Sequence, residues 1–160
     1  MIKVLFAGCP EPAAKTLKYL FEHSEENNFK IVGVLTNPPT AKGRHKDLIP
    51  TPVAKVAEEY STEENFIPVF TPEHLNAEAR EQIMPLTADI LVCFAYGHIF
   101  GPKFLSMFKY GGMNLHPSLL PKYRGAAPMQ RAIMEGESET GVTIMYMDEG
   151  LDTGDIISQK

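Results

Sequence analysis

Residues 112–155 of the chain read GMNLHPSLLPKYRGAAPMQRAIMEGESETGVTIMYMDEGLDTGD. The stretch opens on a short apolar segment that carries Asn114 and His116, and it continues through a loop interrupted by prolines. It closes on an acidic loop that contains Asp152. Alternate residues of a strand point to the same face, so Asn114 and His116 are expected side by side at a strand end. One module of the chain therefore carries a polar pair and a carboxylate.

Along the whole chain, apolar runs alternate with segments of helical periodicity. Residues 2–8 form a nearly continuous apolar run, which is typical of a strand buried on both faces. Further strands are predicted at 29–36, 67–70, 89–95, 112–116, 141–147 and 156–158. Helices are predicted from Pro12, at 51–60, at 71–84, after Pro102, and from 127 with Met129, Ile133 and Met134 facing inward. The pattern predicts an α/β fold, an open and mostly parallel sheet with flanking helices, whose ligands bind beyond the carboxyl ends of the strands.

Length and composition restrict the class of protein. A chain of 160 residues is long enough for one domain, spanning 1–160, with a sizeable core. Hydrophobic residues make up 44% of the chain, yet no apolar run approaches the ~20 residues of a membrane span. The N-terminus lacks a signal-peptide cleavage region, so a cytoplasmic protein without membrane contact is predicted. Because the formal net charge is −5, any contact with nucleic acid must come from a local basic patch.

Several kinds of site are disfavoured by spacing. Cys9 and Cys93 form no CxxC pair, and the histidines show no HxxxH or HExxH spacing, so neither a disulfide framework nor a metal site is predicted. A dinucleotide-binding domain is also disfavoured. The first strand is followed by GCPEP in place of GxGxxG, and the second strand ends without an acidic residue for a ribose hydroxyl.

The polar groups of residues 112–155 suit acyl transfer to an amine. Asn114 and a protonated His116 would stabilise the oxyanion of a tetrahedral intermediate, and Asp152 would pair with His116 and receive the proton of the amine. The residues alone leave a second interpretation open. An Asn-x-His pair at a strand end is often only a satisfied polar pair, and loop aspartates are often turn formers.

The sequence as a whole resembles a known family. The run NLHPSLLPKYRGAAPMQRA followed by ETGVTIMYMDEGLDTGD is similar to the N-terminal catalytic domain of the methionyl-tRNA formyltransferase family. The resemblance extends to FAGCPE at the start, LTNPPTAKGRHKDLIPTPVAKVA in the middle and AYGHI after the fourth strand. The Asn-x-His pair, the SLLPxxxG run and the distal aspartate are shared by several formyltransferases, whereas GAAPMQRA and GLDTGD narrow the resemblance to this family.

The resemblance implies specific roles for the matching residues. Asn114, His116 and Asp152 match the family's catalytic residues, and the folate-binding segment is matched by Ser118, Leu119, Leu120 and Pro121. The implied reaction transfers a formyl group from 10-formyltetrahydrofolate to the α-amino group of initiator methionyl-tRNA, with no metal. The alternatives are a formyltransferase for glycinamide ribonucleotide or a sugar nucleotide, and a non-catalytic module that binds folate or RNA.

Residues 37–50 form a connection too long for an ordinary strand-to-helix turn, and loops of this length are commonly functional. The loop carries Lys42, Arg44 and Lys46, together with His45. Lysine and arginine in a loop suit contacts with phosphates, and without the resemblance the loop would be read as a solvated charged segment. In the family, the matching loop contacts the acceptor stem of the initiator tRNA, which implies tRNA binding by these three side chains.

The chain departs from the family pattern at two places that concern the expected contacts with tRNA. Thr40 and Asp47 stand where basic residues are frequent in the family, and the first turn reads GCPEP where many members read GTPDF. Members of the family carry further residues that complete this domain and a C-terminal β-barrel that helps to hold tRNA. We expect residues 1–160 to be an incomplete catalytic domain, without that β-barrel, that binds folate weakly and formylates poorly by itself. A monomer is expected.

Overall fold

The computed structural model describes residues 1–44 and 46–160. The strands within these residues are β1 (Ile2–Gly8), β2 (Phe29–Leu35), β3 (Thr40–Lys42), β4 (Asp47–Ile49), β5 (Val69–Phe70), β6 (Ile90–Phe94), β7 (Gly112–His116), β8 (Thr143–Tyr146) and β9 (Ile156–Gln159). The helices are α1 (Glu11–His23), α2 (Pro52–Tyr60), α3 (Ala77–Ile83), α4 (Pro102–Leu105) and α5 (Pro128–Met134), with a 3-10 turn at Met84–Leu86. None of the helices in these ranges is long and apolar enough to cross a membrane.

The central sheet has the order β5-β2-β1-β6-β7-β8-β9. Strands β5, β2, β1, β6 and β7 run parallel, whereas β8 and β9 continue the sheet in antiparallel pairing. The predicted fold class, an open and mostly parallel sheet with flanking helices, is confirmed. Because the parallel strands point the same way, the loops that follow β1, β2, β6 and β7 lie at one edge of the sheet.

Alternate side chains of β1 enter two different cores. Val4 and Phe6 pack with Leu17 of α1 on one face of the sheet. Leu5 and Ala7 pack on the other face, in a cluster that includes Phe100, Phe104 and Phe108. The continuous apolar run of β1 follows from this arrangement, because helices cover both faces of the strand.

Two predicted helix starts have different outcomes. Thr51 caps α2 as expected, since its hydroxyl accepts a hydrogen bond from the backbone nitrogen of Ala54 at 3.1 Å. The helix predicted from 71 instead begins at Ala77, and that prediction is wrong. Asn76 is the N-cap, because its side-chain oxygen accepts from the backbone nitrogen of Ala79 at 3.0 Å. A Thr-Pro pair suits a helix start, but here it lies in a non-helical segment.

The prediction for the inward face of α5 is also wrong. Met129, Ile133 and Met134 are 44%, 79% and 84% exposed. The buried positions of the helix are Pro128 and Ala132, which stand four residues apart and so share the face that packs inward. Small side chains at these two positions let the short helix lie close to the protein, and its larger residues are left outside.

The connection 37–50 contains a small hairpin. Strands β3 and β4 pair antiparallel, with Thr40 opposite Ile49 and Lys42 opposite Asp47. The residues of the two strands are exposed except for Ile49, which is half-buried. The long predicted loop is therefore a projecting two-stranded element at the carboxyl edge of the sheet, next to the turn after β1.

Gly8 shows how closely the elements approach at this edge. A Cβ atom added to Gly8 would lie 2.6 Å from the carbonyl oxygen of Phe94 and 2.8 Å from the Cβ atom of Ala13. One neighbour is backbone of β6 and the other belongs to α1, so neither can move without shifting a whole element. Glycine at this position allows β1, β6 and α1 to meet.

We expect Gly8→Ala to lower the free energy of unfolding by about 1–3 kcal/mol, because the added methyl group overpacks the junction. Urea denaturation followed by circular dichroism measures the change. Gly101→Ala is the matched control, since a Cβ atom there meets no atom within 4 Å. Its effect should stay within about 0.5 kcal/mol, and equal stability of the two variants would contradict the proposed packing constraint.

Candidate active site

A cavity of about 600 Å³ opens at the carboxyl edge of the sheet. Its walls come from residues 93–100 at the end of β6 and after it, from 114–117 at the end of β7, from 125–130 before and in α5, and from much of 145–154. Pro10 and Pro12, which follow β1, close a further side. The cavity lies where an open parallel sheet is expected to bind a ligand.

Asn114 and His116 project from β7 into this cavity, as their spacing predicts. Asn114 is half-buried and pairs with Cys93 of β6 and Met145 of β8 through the sheet. Among residues 1–44 and 46–160, no protein group forms a hydrogen bond with its side-chain amide. An amide held on a rigid strand with its donor free is suited to bind an oxygen atom of a ligand.

The structure also brings Asp152 to His116. The two side chains are 9% and 7% exposed, and Asp152 Oδ2 lies 3.5 Å from His116 Nδ1. This distance exceeds that of a normal N–H···O hydrogen bond. The carboxylate also accepts a hydrogen bond of 2.8 Å from the backbone nitrogen of Gly125. The third candidate residue of the sequence therefore stands beside the second, in a nearly buried pair.

Asp152 reaches His116 through a strand that is antiparallel to β7, although most of the sheet is parallel. Strand β8 is antiparallel to β7 and ends with Tyr146 opposite Met113, at the far end of β7 from His116. The 147–155 loop must therefore fold back to reach the histidine. Asp152 adopts a left-handed backbone conformation with φ of 55°, and its carbonyl oxygen accepts a hydrogen bond from Arg124 Nε at 3.1 Å.

The other acidic residues of the 147–155 loop have the turn and solvent positions expected of them. Asp148 accepts hydrogen bonds from the backbone nitrogen of Gly150 at 2.8 Å and from the hydroxyl of Thr153 at 2.7 Å. These bonds, led by that from Thr153, hold the pKa of Asp148 below its usual range. Glu149 and Asp155 are exposed. Asp148 thus shapes the loop that presents Asp152.

Sequence reasoning did not identify the partner of the other imidazole nitrogen. His116 Nε2 lies 2.8 Å from the carbonyl oxygen of Tyr123. Because a carbonyl oxygen only accepts hydrogen bonds, His116 Nε2 carries a proton. The contact comes from the backbone, so the residue type at 123 gives no signal for it. The glycine of the SLLPxxxG run, Gly125, was visible in the sequence, but the role of its N–H toward Asp152 was not.

The predicted folate-binding segment, formed by Ser118, Leu119, Leu120 and Pro121, does not line the cavity. Ser118 is buried and donates its hydroxyl to the carbonyl of Lys122 at 2.7 Å. Thr143 of β8 donates to the carbonyl of Ser118 at 2.8 Å and accepts from the nitrogen of Leu120 at 3.2 Å. In this structure the segment anchors the loop after β7, and its contact with folate stays a prediction.

Aromatic and sulfur-containing side chains line the cavity beside the polar groups. The ring of Tyr96 stacks on that of Phe100, with centroids 5.4 Å apart and planes 17° apart. The hydroxyl of Tyr96 is buried and has no hydrogen-bond partner within the described residues. Burial raises the pKa of Tyr96 and raises the pKa of the Cys93 thiol to about 12. Away from His116, Asp152 and Asp148, the lining is therefore largely apolar.

The predicted tRNA-binding residues lie apart from the cavity lining. Lys42 ends β3, and Arg44 and Lys46 stand in the exposed turn of the hairpin. Lys42 also lines a smaller cleft of about 200 Å³, between the hairpin and the turn at Cys9 and Pro10. His45 lies outside the described residues.

Comparison with known proteins identifies the family of the chain. The family model described as formyl transferase matches residues 2–160. The chain belongs to the formyl transferase family. It is 42% identical over 164 residues to the methionyl-tRNA formyltransferase of Treponema pallidum, with 100% of this chain and 50% of the relative covered. It is 46% identical over 160 residues to that of Thermotoga neapolitana, with 99% and 48% covered. The chain spans about half the length of the curated relatives it matches.

Solved structures of formyl transferases share the fold. Phosphoribosylglycinamide formyltransferase from Bacillus halodurans superimposes with a TM-score of 0.74 at 26% identity, covering 99% of this chain and 78% of that one. Sugar N-formyltransferase from a Shewanella species gives a TM-score of 0.66 at 18% identity, covering 100% and 56%. The second similarity concerns the fold alone. Formyl transferases with different names thus share this fold.

The two cysteines of this formyl transferase should react very differently with iodoacetamide. With a pKa of about 12, Cys93 has a thiolate fraction on the order of 10⁻⁴ at pH 8, since 12 minus 8 is 4, whereas Cys9 is half-buried and more accessible. We expect alkylation of Cys9 first, with Cys93 modified only as the pH approaches 12 or the protein unfolds. Mass spectrometry of Cys9→Ala and Cys93→Ala variants separates the two rates, and equal rates at pH 8 would contradict the burial of Cys93.

Proposed function

We propose that the protein transfers a formyl group from 10-formyltetrahydrofolate to the α-amino group of initiator methionyl-tRNA. The observation that carries the proposal is the convergence of Asn114, His116 and Asp152 on one cavity. Its acceptor is suggested by relatives at 42% and 46% identity that are named methionyl-tRNA formyltransferase. Those relatives are about twice as long, so the activity is proposed for the full-length protein.

The cavity suits the flat ring system of a folate. Its volume lies within the range of pockets for small ligands, about 300–1,000 Å³. The stacked rings of Tyr96 and Phe100 and the thioethers of Met145 and Met147 supply apolar surface. The donor's formyl group would lie toward Asn114. Residues 118–121 would act on folate through the loop that they anchor.

Asn114 would bind the formyl oxygen. When the amine attacks the formyl carbon, the carbonyl π electrons move to the oxygen, and the negative charge develops where the Asn114 amide can donate. Of the three polar residues, Asn114 is the one whose side chain has no hydrogen-bond partner in the described part of the chain. Its place on a central strand keeps the donor fixed, so little reorganisation is needed as charge develops.

His116 and Asp152 would handle the proton. The attacking nitrogen must lose a proton after it bonds to the formyl carbon, and Asp152 beside His116 is the acceptor. Collapse of the intermediate breaks the bond between the formyl carbon and N10 of the folate. N10 leaves with that electron pair and takes up a proton, which gives tetrahydrofolate and the formylated amine. In the present geometry His116 Nε2 donates to Tyr123, so direct contact with the oxyanion would require that hydrogen bond to open.

The hairpin of β3 and β4 would contact the tRNA. Lys42, Arg44 and Lys46 place positive charge on an exposed projection of a chain whose net charge is −5. Phosphates would therefore be attracted to this projection more than to the rest of the surface. Lys42 lies next to the turn after β1, which also borders the cavity, so an acceptor end held by the hairpin could enter from that side.

A second candidate acceptor is glycinamide ribonucleotide. The solved phosphoribosylglycinamide formyltransferase at 26% identity matches 99% of this chain. The same three polar residues would serve either amine. The difference would lie outside the cavity, because a tRNA offers the basic hairpin many phosphates, whereas glycinamide ribonucleotide offers one.

We expect methionyl-tRNA to be formylated by the full-length protein with a kcat/KM far above that for glycinamide ribonucleotide or an amino-sugar nucleotide. Radiolabelled formyl transfer measures all three acceptors. Arg44→Ala should raise KM for methionyl-tRNA without changing KM for the folate. Because one phosphate contact is lost, the slope of the logarithm of the tRNA binding constant against the logarithm of salt concentration should become shallower by about one. Lys55→Ala, an exposed change on α2, is the control. Preference for either small acceptor would overturn the assignment to tRNA.

Asn114→Ala should lower kcat for formyl transfer roughly 10²–10³-fold, because one oxyanion donor is lost. Asp152→Ala should lower kcat by at least as much, since it removes the proton acceptor beside His116. Asp155→Ala tests the same loop with an exposed carboxylate and should leave kcat unchanged. Circular dichroism checks folding of each variant. A pure binding module would show no activity to lose, and wild-type turnover in folded Asn114→Ala would exclude the proposed role.

A further inference from the structure

Tyr123 forms hydrogen bonds with two residues, with His116 through its backbone carbonyl and with Glu137 through its side chain. Its carbonyl oxygen lies 2.8 Å from His116 Nε2, and its hydroxyl donates a hydrogen bond of 2.7 Å to Glu137 Oε1. The residue therefore joins the end of β7 to the segment that follows α5. Neither Tyr123 nor Glu137 was among the residues expected to act in the reaction.

The position of the Tyr123 carbonyl depends on an uncommon backbone conformation. Tyr123 has a φ angle of 56°, in the left-handed region that residues other than glycine rarely adopt. Such a conformation persists only where the surroundings hold it. The neighbouring carbonyl, that of Lys122, accepts a hydrogen bond of 2.7 Å from the buried hydroxyl of Ser118. The backbone is thus held before Tyr123, and its side chain is held separately.

Glu137 is the group that holds the side chain of Tyr123. Its carboxylate accepts from the Tyr123 hydroxyl and also from Lys122 Nζ at 3.0 Å. These two bonds, with that from Tyr123 the stronger influence, keep the pKa of Glu137 below its usual range, so the group is an anion at neutral pH. Arg131 of α5 stands over the Tyr123 ring, 5.7 Å from its centroid. Glu137 therefore fastens two consecutive side chains of the loop after β7.

We propose that Glu137 and Tyr123 are positioning residues that fix the proton of His116 on Nε2 and so turn Nδ1 toward Asp152. The hydrogen bond made by one imidazole nitrogen decides which nitrogen is protonated. The carbonyl of Tyr123 accepts only, so it selects the Nε2–H form. The inference concerns a structural state of His116, and its consequence for turnover rests on the proposed function.

The consequence is that the contact between His116 and Asp152 depends on the protonation state of the imidazole. In the neutral Nε2–H form, Nδ1 offers a lone pair to a carboxylate that also only accepts, which agrees with the long separation of 3.5 Å. When the imidazole gains a second proton, Nδ1 becomes a donor and the contact can shorten into a charge-assisted hydrogen bond. The Tyr123 carbonyl thus leaves Nδ1 as the position at which His116 takes up a proton, directly beside Asp152.

Nitrogen NMR of protein labelled with ¹⁵N at histidine tests the proposal without requiring activity. Long-range proton–nitrogen correlation distinguishes a protonated ring nitrogen from a bare one, and loss of one signal set in His116→Gln assigns His116 among the five histidines. At a pH where the imidazole is neutral, we expect Nε2 of His116 protonated and Nδ1 bare. Glu137→Ala should shift both nitrogens toward the average of the two tautomers, because the Tyr123 carbonyl is no longer held.

Two further variants make the result specific. Glu137→Gln keeps an oxygen that can accept from the Tyr123 hydroxyl and should restore the wild-type nitrogen shifts. Glu139→Ala removes an exposed carboxylate two residues away and should change nothing. If Glu137→Ala does not fold by circular dichroism, Tyr123→Phe removes the same hydrogen bond and leaves the contact between Lys122 and Glu137 in place.

Unchanged His116 nitrogen shifts in folded Glu137→Ala or Tyr123→Phe would overturn the proposal, as would a wild-type protein with the proton on Nδ1. In the full-length enzyme, Glu137→Ala should lower kcat about tenfold and leave KM for both substrates within about twofold, with Glu137→Gln close to wild type. If the protein proves to have no formyl transfer activity, the proposed function fails and the nitrogen shifts still decide the positioning of His116.

Discussion

The nearly buried carboxylate of Asp152 is the contact on which the site depends. The carboxylate faces the imidazole of His116 and accepts a hydrogen bond from the backbone nitrogen of Gly125. The backbone carbonyl of Asp152 accepts a hydrogen bond from Arg124. Three segments of the chain meet at this residue: the end of β7, the loop after it and the loop between β8 and β9. A carboxylate away from water is costly unless it is paired, so these contacts also hold the 147–155 loop against β7.

The polar groups of the site divide the proposed chemistry between them. Asn114 is fixed by the sheet and its amide is free to bind a ligand, so it suits the developing charge on the formyl oxygen. His116 is hydrogen-bonded through Nε2 to the Tyr123 carbonyl and faces Asp152 with Nδ1, so it suits proton handling with Asp152 better than direct oxyanion binding. This division differs from the expectation that both would contact the oxyanion. It arises from a backbone carbonyl, which no pattern of side chains reveals.

Recognition of the two proposed substrates would be separated along the carboxyl edge of the sheet. The cavity is enclosed by the loops after β6 and β8 and is largely apolar, whereas positive charge stands on the β3–β4 hairpin. The turn after β1 borders both regions through Pro10. Close packing at Gly8 fixes the start of that turn. An acceptor bound at the hairpin and a donor bound in the cavity would therefore meet next to Asn114, because the same rigid edge presents both.

The sequence alone determined the order of the strands and helices apart from the β3–β4 hairpin, the parallel arrangement of the first part of the sheet and the common face of Asn114 and His116. These features depend on local periodicity and on buried strands such as β1, whose apolar residues leave no solvent-facing side. Local rules failed where packing decided between alternatives, as in the start of α3 at Ala77 and the outward face of α5. Only the tertiary structure placed Asp152 against His116 and the Tyr123 carbonyl on Nε2. Both contacts depend on a left-handed backbone conformation, at Asp152 and at Tyr123. Asp152 is distant from His116 in sequence, and the residue type at 123 gives no signal for the contact. Such conformations are held by long-range hydrogen bonds, which a local sequence pattern does not encode.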